Sequence, residues 1–259
     1  MDSLTIDTTG HVARISLRRP EVRNAFDDAL IARITETFTA LAGRADLRCI
    51  VLAAEGPAFC AGADLHWMRR MANYSREENI ADAAGMAAML RSIAECPLPT
   101  IARVQGDVYA GGVGLVAACD MAVAVDTAAF CLSEVRIGLV PATISPYVIR
   151  AMGARAAQRY FLTAERFLAG EAHRIGLVHQ VVAAEGLDAA VDALAQALCN
   201  AGPAAVRAGK RLIAEVAGRP IDAALIARTV EGIADIRASD EGREGVQSFL
   251  QKRKPDWLG

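Results

Sequence analysis

The chain has 259 residues, of which 53% are hydrophobic and 22% charged, with a formal net charge of −2. That length and apolar content support a large buried core and exclude a disordered chain. The near-neutral balance offers no basic field for nucleic acid or anionic lipid, and no apolar run is long enough to span a bilayer.

In chain order, Leu4-Thr-Ile6-Asp and Val12-Ala-Arg-Ile15-Ser-Leu17 alternate as strands and meet at Thr9-Gly10 as a hairpin. RRPEVRNAF interrupts with a proline, and a helix is predicted over 27–41, with Leu30, Ile31, Ile34, Phe38 and Leu41 on one stripe. CIVLAAE reads as a buried strand that ends in the turn-rich GPAFCAGAD. Helical patterning resumes over 65–71 and 77–94, and Pro97 and Pro99 end it before a strand in TIARVQG. After the glycine-rich GDVYAGGVGLVAACD, residues 121–125 read as a buried strand and FCLSEVRIGLVP as a short strand followed by a loop. Ser145-Pro146 opens a helix, and from Ala151 on nearly everything is helical except a strand over 177–182. Alternating strand and helix predicts an α/β architecture. Gly202-Pro203 is the natural division between a strand-bearing core, 1–202, and a helical tail, 203–259.

The six cysteines are scattered in apolar settings without a C-x-x-C pair, so they read as small buried hydrophobes in a reducing compartment. MDSLTIDTTG lacks the basic and apolar regions of a secretory leader, and a cytoplasmic location is expected.

Gly112-Val-Gly114-Leu-Val-Ala117 spells the G-x-G-x-x-A of a dinucleotide site. Its context argues otherwise. Gln105, Gly106 and Asp107 separate the preceding strand from the glycines, and Glu134, the acidic residue at the right distance, does not end the second strand of a βαβ unit. Gly111-Gly112 at a helix start instead leaves amides bare with the helix dipole behind them, suited to an anion or a developing oxyanion. Cys60-Ala-Gly-Ala-Asp64 has the same character, so the two segments could each give one N–H to a single carbonyl oxygen.

RNAFDDAL, FCAGADL, PTIARVQGDVYAGGVGLVAACDMAVA and LSEVRIGLVP together resemble the crotonase family of enoyl-CoA hydratases and isomerases. The resemblance covers essentially the whole chain. It implies a spiral of ββα repeats, a helical C-terminal region that trimerises, as a homotrimer or dimer of trimers, and an acyl-CoA substrate. It implies no metal and no cofactor beyond the coenzyme A thioester itself. It places an oxyanion hole on the amides of Ala63 and Gly111, and an acid/base on Glu134, where desolvation should raise the carboxyl pKa. Substrate contacts would fall on Arg23, Ala25, Ala61, Asp64, Leu65, Gly114 and Pro141, with Arg23 toward the coenzyme A phosphates and adenine against 61–63.

One departure stands out. The first of two family glutamates should fall at 114, where this chain has glycine. A single carboxylate is compatible with hydration, with proton shuttling by a Δ3,Δ2-enoyl-CoA isomerase, or with acyl-CoA binding alone. GADLHWMRRMANYSREEN and CLSEVRIGLVPATISPYVIRAMGARAAQRYFLTAERF are similar to bacterial 3-methylglutaconyl-CoA and isohexenylglutaconyl-CoA hydratases, the glycine included, and favour hydration. On this view Gly114 opens space beside the double bond for a branched glutaconyl group, and His66, Arg69 or Arg70 meets its carboxylate. Trp67 reads as core packing or a pocket wall. Ser145 and Cys131 lack a histidine placed nearby by the sequence, which disfavours covalent chemistry, and no ligand cluster has metal spacing.

Overall fold

The computed structural model describes residues 3–259; Met1 and Asp2, part of the segment examined for a leader, lie outside them. Two compact units divide between Ala193 and Leu194. The first carries both sheets.

It opens with an antiparallel hairpin, β1 (Leu4–Thr9) and β2 (Val12–Leu17), which pairs Leu4 with Leu17 and Thr9 with Val12. A short 3-10 turn leads to α1 (Asp28–Ala42), whose start is capped by the Asp27 carboxylate accepting the Leu30 amide at 2.9 Å. Then come β3 (Cys49–Ala54), β4 (Ala58–Cys60), α2 (Leu65–Met71) and α3 (Arg76–Ala94), the last held by a Ser75–Glu78 capping box. The next repeat is β5 (Thr100–Val104), β6 (Asp107–Tyr109) and α4 (Gly111–Ala118). The third is β7 (Met121–Val125), β8 (Ala129–Cys131), a 3-10 turn over Glu134–Ile137, and α5 (Ser145–Thr163), interrupted at Gly153 where φ is +76°. Finally, β9 (Phe167–Leu168), α6 (Ala169–Arg174) and β10 (Gln180–Val182) precede α7 (Leu187–Asn200), within which the two units divide.

Each repeat sends its first strand to one sheet and its second strand to another. The large sheet runs β1-β2-β3-β5-β7-β10, and the small one runs β4-β6-β8-β9. Strands β3, β5 and β7 are parallel neighbours and so are β4, β6 and β8, the spiral of ββα repeats that the resemblance implies. β3 is buried along its whole length, as suits a central strand covered on both faces.

The second unit contains α8 (Pro203–Val216), α9 (Ala223–Ala238) and α10 (Asp240–Leu250), the helical C-terminal region. The Glu241 carboxylate accepts the Ala204 and Ala205 amides at the start of α8, at 2.9 and 2.8 Å. Pro203 opens α8, whereas the two units already divide within α7, between Ala193 and Leu194 rather than at Gly202-Pro203.

The long elements follow the sequence reading, with two corrections. The strand expected over 177–182 is only Gln180–Val182, because Leu177 and Val178 are still tied back to the Ala172 carbonyl at the end of α6. The turn-rich 56–64 segment and the 105–109 junction hold β4 and β6, two strands of three residues each. No helix among the described residues is long and apolar enough to cross a membrane. None of the six cysteines forms a disulfide.

Candidate active site

Because β4, β6 and β8 are adjacent and parallel, the segments that follow their C-terminal ends emerge side by side. This is where parallel sheets place ligands. Those segments are Ala61–Asp64, Ala110–Gly112 and Leu132–Glu134.

Small residues let the first two close on each other. A Cβ on Gly62, whose φ is +88°, would lie 3.1 Å from the Ala110 Cβ and from the Tyr109 carbonyl oxygen. One on Gly112 would lie 2.9 Å from the Cys60 carbonyl oxygen. Gly111 is packed just as tightly, with the Phe26 ring and the Met86 Cε in the space a side chain would need. Ala110, between β6 and α4, takes φ 47° and ψ −122°, a conformation that normally belongs to glycine and stores strain at the turn.

The backbone pairing orients the amides. The Phe26 amide donates to the Gly62 carbonyl, and the Asp64 amide donates to the Phe26 carbonyl, both at 2.9 Å. The Ala63 N–H between them therefore points away from Phe26. The Gly111 N–H begins α4, where helix geometry supplies no partner. Neither amide donates to a protein group among the described residues.

Around these amides is a cavity of about 420 Å³, lined by Ala61, Ala63, Leu65, Gly111, Glu134 and Pro141 among others. Its walls are largely apolar, with Trp67, Met68, Met71, Met86 and Ile144, and Ile137, Leu139 and Val140 at an exposed rim. Larger clefts, about 710 and 780 Å³, lie along α5 and α6, but several of their charges are already paired, as in Arg159–Glu165 and Arg174–Glu171.

Glu134 starts the 3-10 turn after β8, and its Oε2 is buried without a hydrogen-bond partner. Desolvation raises the carboxyl pKa above its ordinary value, against a smaller lowering from a backbone hydrogen bond. A buried, unpartnered carboxylate oxygen in a cavity wall is poised to accept or return a proton.

Asp64, read from sequence as a substrate contact, is used otherwise. Oδ1 accepts the His66 and Trp67 amides at 2.8 and 3.4 Å, capping α2, and Oδ2 pairs with Arg19 at 3.0 Å. Burial pushes this carboxyl up, but those amides and Arg19 outweigh it and hold the pKa below the usual value. Arg23 is exposed and Ala25 buried, and neither lines the cavity; Arg23 instead abuts the site through its carbonyl, which accepts the Ala61 amide at 2.9 Å.

Gly114 does not open space. Ile144, 1% exposed, fills the volume in front of it, its Cβ 2.8 Å from where a Cβ on Gly114 would stand. The cationic candidates fail as well. His66, Arg69 and Arg70 are exposed and outside the cavity wall, and Arg70 pairs with Asp28 at 2.6 Å. No lysine, arginine or histidine among the described residues lines the cavity.

Three residues of the site escaped the sequence reading. Arg19 binds the Ala25 carbonyl at 2.8 Å and both cap carboxylates, Asp27 and Asp64. Asn24, fully buried in the left-handed region at φ 55°, donates to the carbonyls of Glu55 and Ala58 and accepts the Arg19 amide. Asp82, in the cavity wall, accepts the Trp67 indole N–H at 2.9 Å. Asparagine after an arginine is a recognisable left-handed candidate; the other two roles arise only from tertiary packing.

A model of the family described as enoyl-CoA hydratase/isomerase matches residues 7–259. The chain shares 41% identity with the crystal structure of an enoyl-CoA hydratase from Shewanella pealeana, at a TM-score of 0.96, over 99% of this chain and 96% of that one. An enoyl-CoA hydratase structure from Mycobacterium smegmatis is 36% identical over the full length of both chains, with a TM-score of 0.94. Enoyl-CoA hydratase domain-containing protein 3 of Danio rerio, a mitochondrial protein, is 30% identical over 98% of this chain and 88% of its own length. The chain belongs to the enoyl-CoA hydratase/isomerase family, and it is an enzyme of the crotonase fold.

Proposed function

We propose that the chain hydrates a branched 2-enoyl-CoA thioester such as 3-methylglutaconyl-CoA. The observation that carries this reading is the convergence of two unpartnered amides, Ala63 and Gly111, with the orphaned Glu134 carboxylate on one cavity. The amides would hold the thioester oxygen and stabilise the enolate that forms when water adds, and loss of one such donor costs about 3 kcal/mol of barrier. Glu134 would take the proton of the attacking water and deliver one to the α-carbon. Arg23 would face the coenzyme A phosphates, and the backbone at 61–63 its adenine. The scheme uses no metal or redox cofactor.

The wall without cations bears on the acyl group. A glutaconyl carboxylate would be held there by neutral donors such as Ser133, or at the open rim, and an uncharged branched chain would meet the apolar wall directly. Isomerisation is the second reading, favoured by the apolar Ile144 side chain filling the region beside Gly114. Hydration of a panel containing crotonyl, 3-methylcrotonyl and 3-methylglutaconyl thioesters, followed by product analysis, tests these choices. Preferential water addition to the branched thioesters supports the reading, and equal rates on all three or double-bond migration alone refutes it.

The assembly we propose is a homotrimer or a dimer of trimers. Its support is the large apolar side chains exposed on the C-terminal helices, Ile213 at 71%, Phe249 at 81% and Leu250 at 73%. A cytoplasmic location is proposed from six cysteines without a disulfide.

A further inference from the structure

Cys60 ends β4, directly beneath the two amide-bearing segments, and is fully buried. Its Sγ accepts the Gly62 N–H at 3.4 Å, one residue before Ala63. Its side chain also fills the space in front of Gly112, one residue after Gly111: a Cβ there would lie 2.9 Å from the Cys60 Cβ and 3.1 Å from Sγ. One side chain thus touches the backbone neighbour of each amide.

We propose that Cys60 is a positioning residue that sets the spacing and direction of the Ala63 and Gly111 amides. The proposal rests on reading those amides as an oxyanion hole. The thiol reaches the Gly62 amide while its Cβ stays wedged against Gly112. Without that acceptor the Gly62 amide would be a buried donor with no partner, and it would be satisfied only by turning its peptide plane, which carries the Ala63 segment with it. Burial pushes the thiol pKa up to about 12, so it stays protonated at neutral pH and plays no nucleophilic part.

The test uses a conjugated dienoyl-CoA thioester whose ultraviolet band shifts to the red when its carbonyl is polarised, together with turnover of a hydratable thioester. Wild type should red-shift the bound band. Cys60→Ala should shrink the shift and lower kcat by roughly 10- to 100-fold, the scale of small misplacements at a reacting centre, with KM nearly unchanged. Cys60→Ser, which keeps an acceptor, should recover most of both. If wild type shows no red shift, the oxyanion reading itself fails. If wild type shifts the band and folded Cys60→Ala matches it, Cys60 merely packs. Equal losses in the alanine and serine variants also point to packing and overturn the proposal. Should Cys60→Ala not fold, Cys60→Ser alone decides, since loss of the red shift in a folded serine variant contradicts the positioning role.

Discussion

Ile144 and Gly114 share one volume: the Cβ of Ile144 lies 2.8 Å from the point where a side chain on residue 114 would begin, with Leu90 Cδ2 at 3.4 Å. The two positions are therefore coupled. Gly114→Ala should destabilise the fold by about 1–3 kcal/mol through overpacking. Combining it with Ile144→Ala should cost less than the sum of the single changes. A double-mutant cycle in urea melts checks this, and strict additivity would show that the positions do not compete.

The proposed function gives the proton chemistry to Glu134. Glu134→Gln should lower kcat by roughly 100- to 10,000-fold while leaving thioester binding intact. The same change has a pH signature in stability. Desolvation raises the folded-state pKa of Glu134 above its unfolded value, so the folded chain binds the proton more tightly. Its contribution is complete at pH below the unfolded carboxylate pKa and is lost as pH rises through the folded one. Glu134→Gln should therefore be more stable than wild type at neutral pH, and the gap should close in acid. Melts across pH that show the opposite trend would reject the buried carboxylate.

Arg19 joins two helix caps. It reaches Asp64 at 3.0 Å and Asp27 at 3.1 Å, and the Asp64 side chain is only 6% exposed. Arg19→Met should cost roughly 3 kcal/mol by leaving a buried carboxylate without its partner. Arg19→Lys should recover only part, since an ammonium cannot match the guanidinium fork. A loss under about 1 kcal/mol for Arg19→Met, the scale of an exposed pair, would contradict this.

Ala110 holds its strain beside the Gly111 amide. Ala110→Gly should relieve about 1–3 kcal/mol of backbone strain, offset by about 0.4–1 kcal/mol of added unfolded-chain entropy. The net expectation is a raised Tm. A lowered Tm would mean that the turn is not strained.

The long strands and helices were legible because their periodicity reflects which face is buried, as in the α1 stripe from Leu30 to Leu41. Most of the small sheet was not, β8 being the exception. β4 and β6 have three residues each and are set among Gly56, Gly62, Gly106 and Gly111, so local pattern cannot separate them from turns. That sheet nevertheless positions the site. Ala63, Gly111 and Glu134, which share one cavity, could be singled out from sequence because small residues before helices and an acid in an apolar stretch have local signatures. Asp64, read as a substrate contact, caps a helix, which an acidic residue after such a segment does as readily as it contacts a ligand. Space at Gly114 was inferred from a missing side chain, but Ile144, thirty positions on, had already filled it.

The most direct test is to incubate a branched 2-enoyl-CoA with the enzyme in heavy-oxygen water and determine the product by mass spectrometry, with Glu134→Gln alongside. Hydration through Glu134 predicts a 3-hydroxyacyl-CoA carrying one solvent oxygen, formed by wild type and nearly lost in Glu134→Gln. Recovery of a double-bond isomer without solvent oxygen, or full hydration by Glu134→Gln, would contradict it.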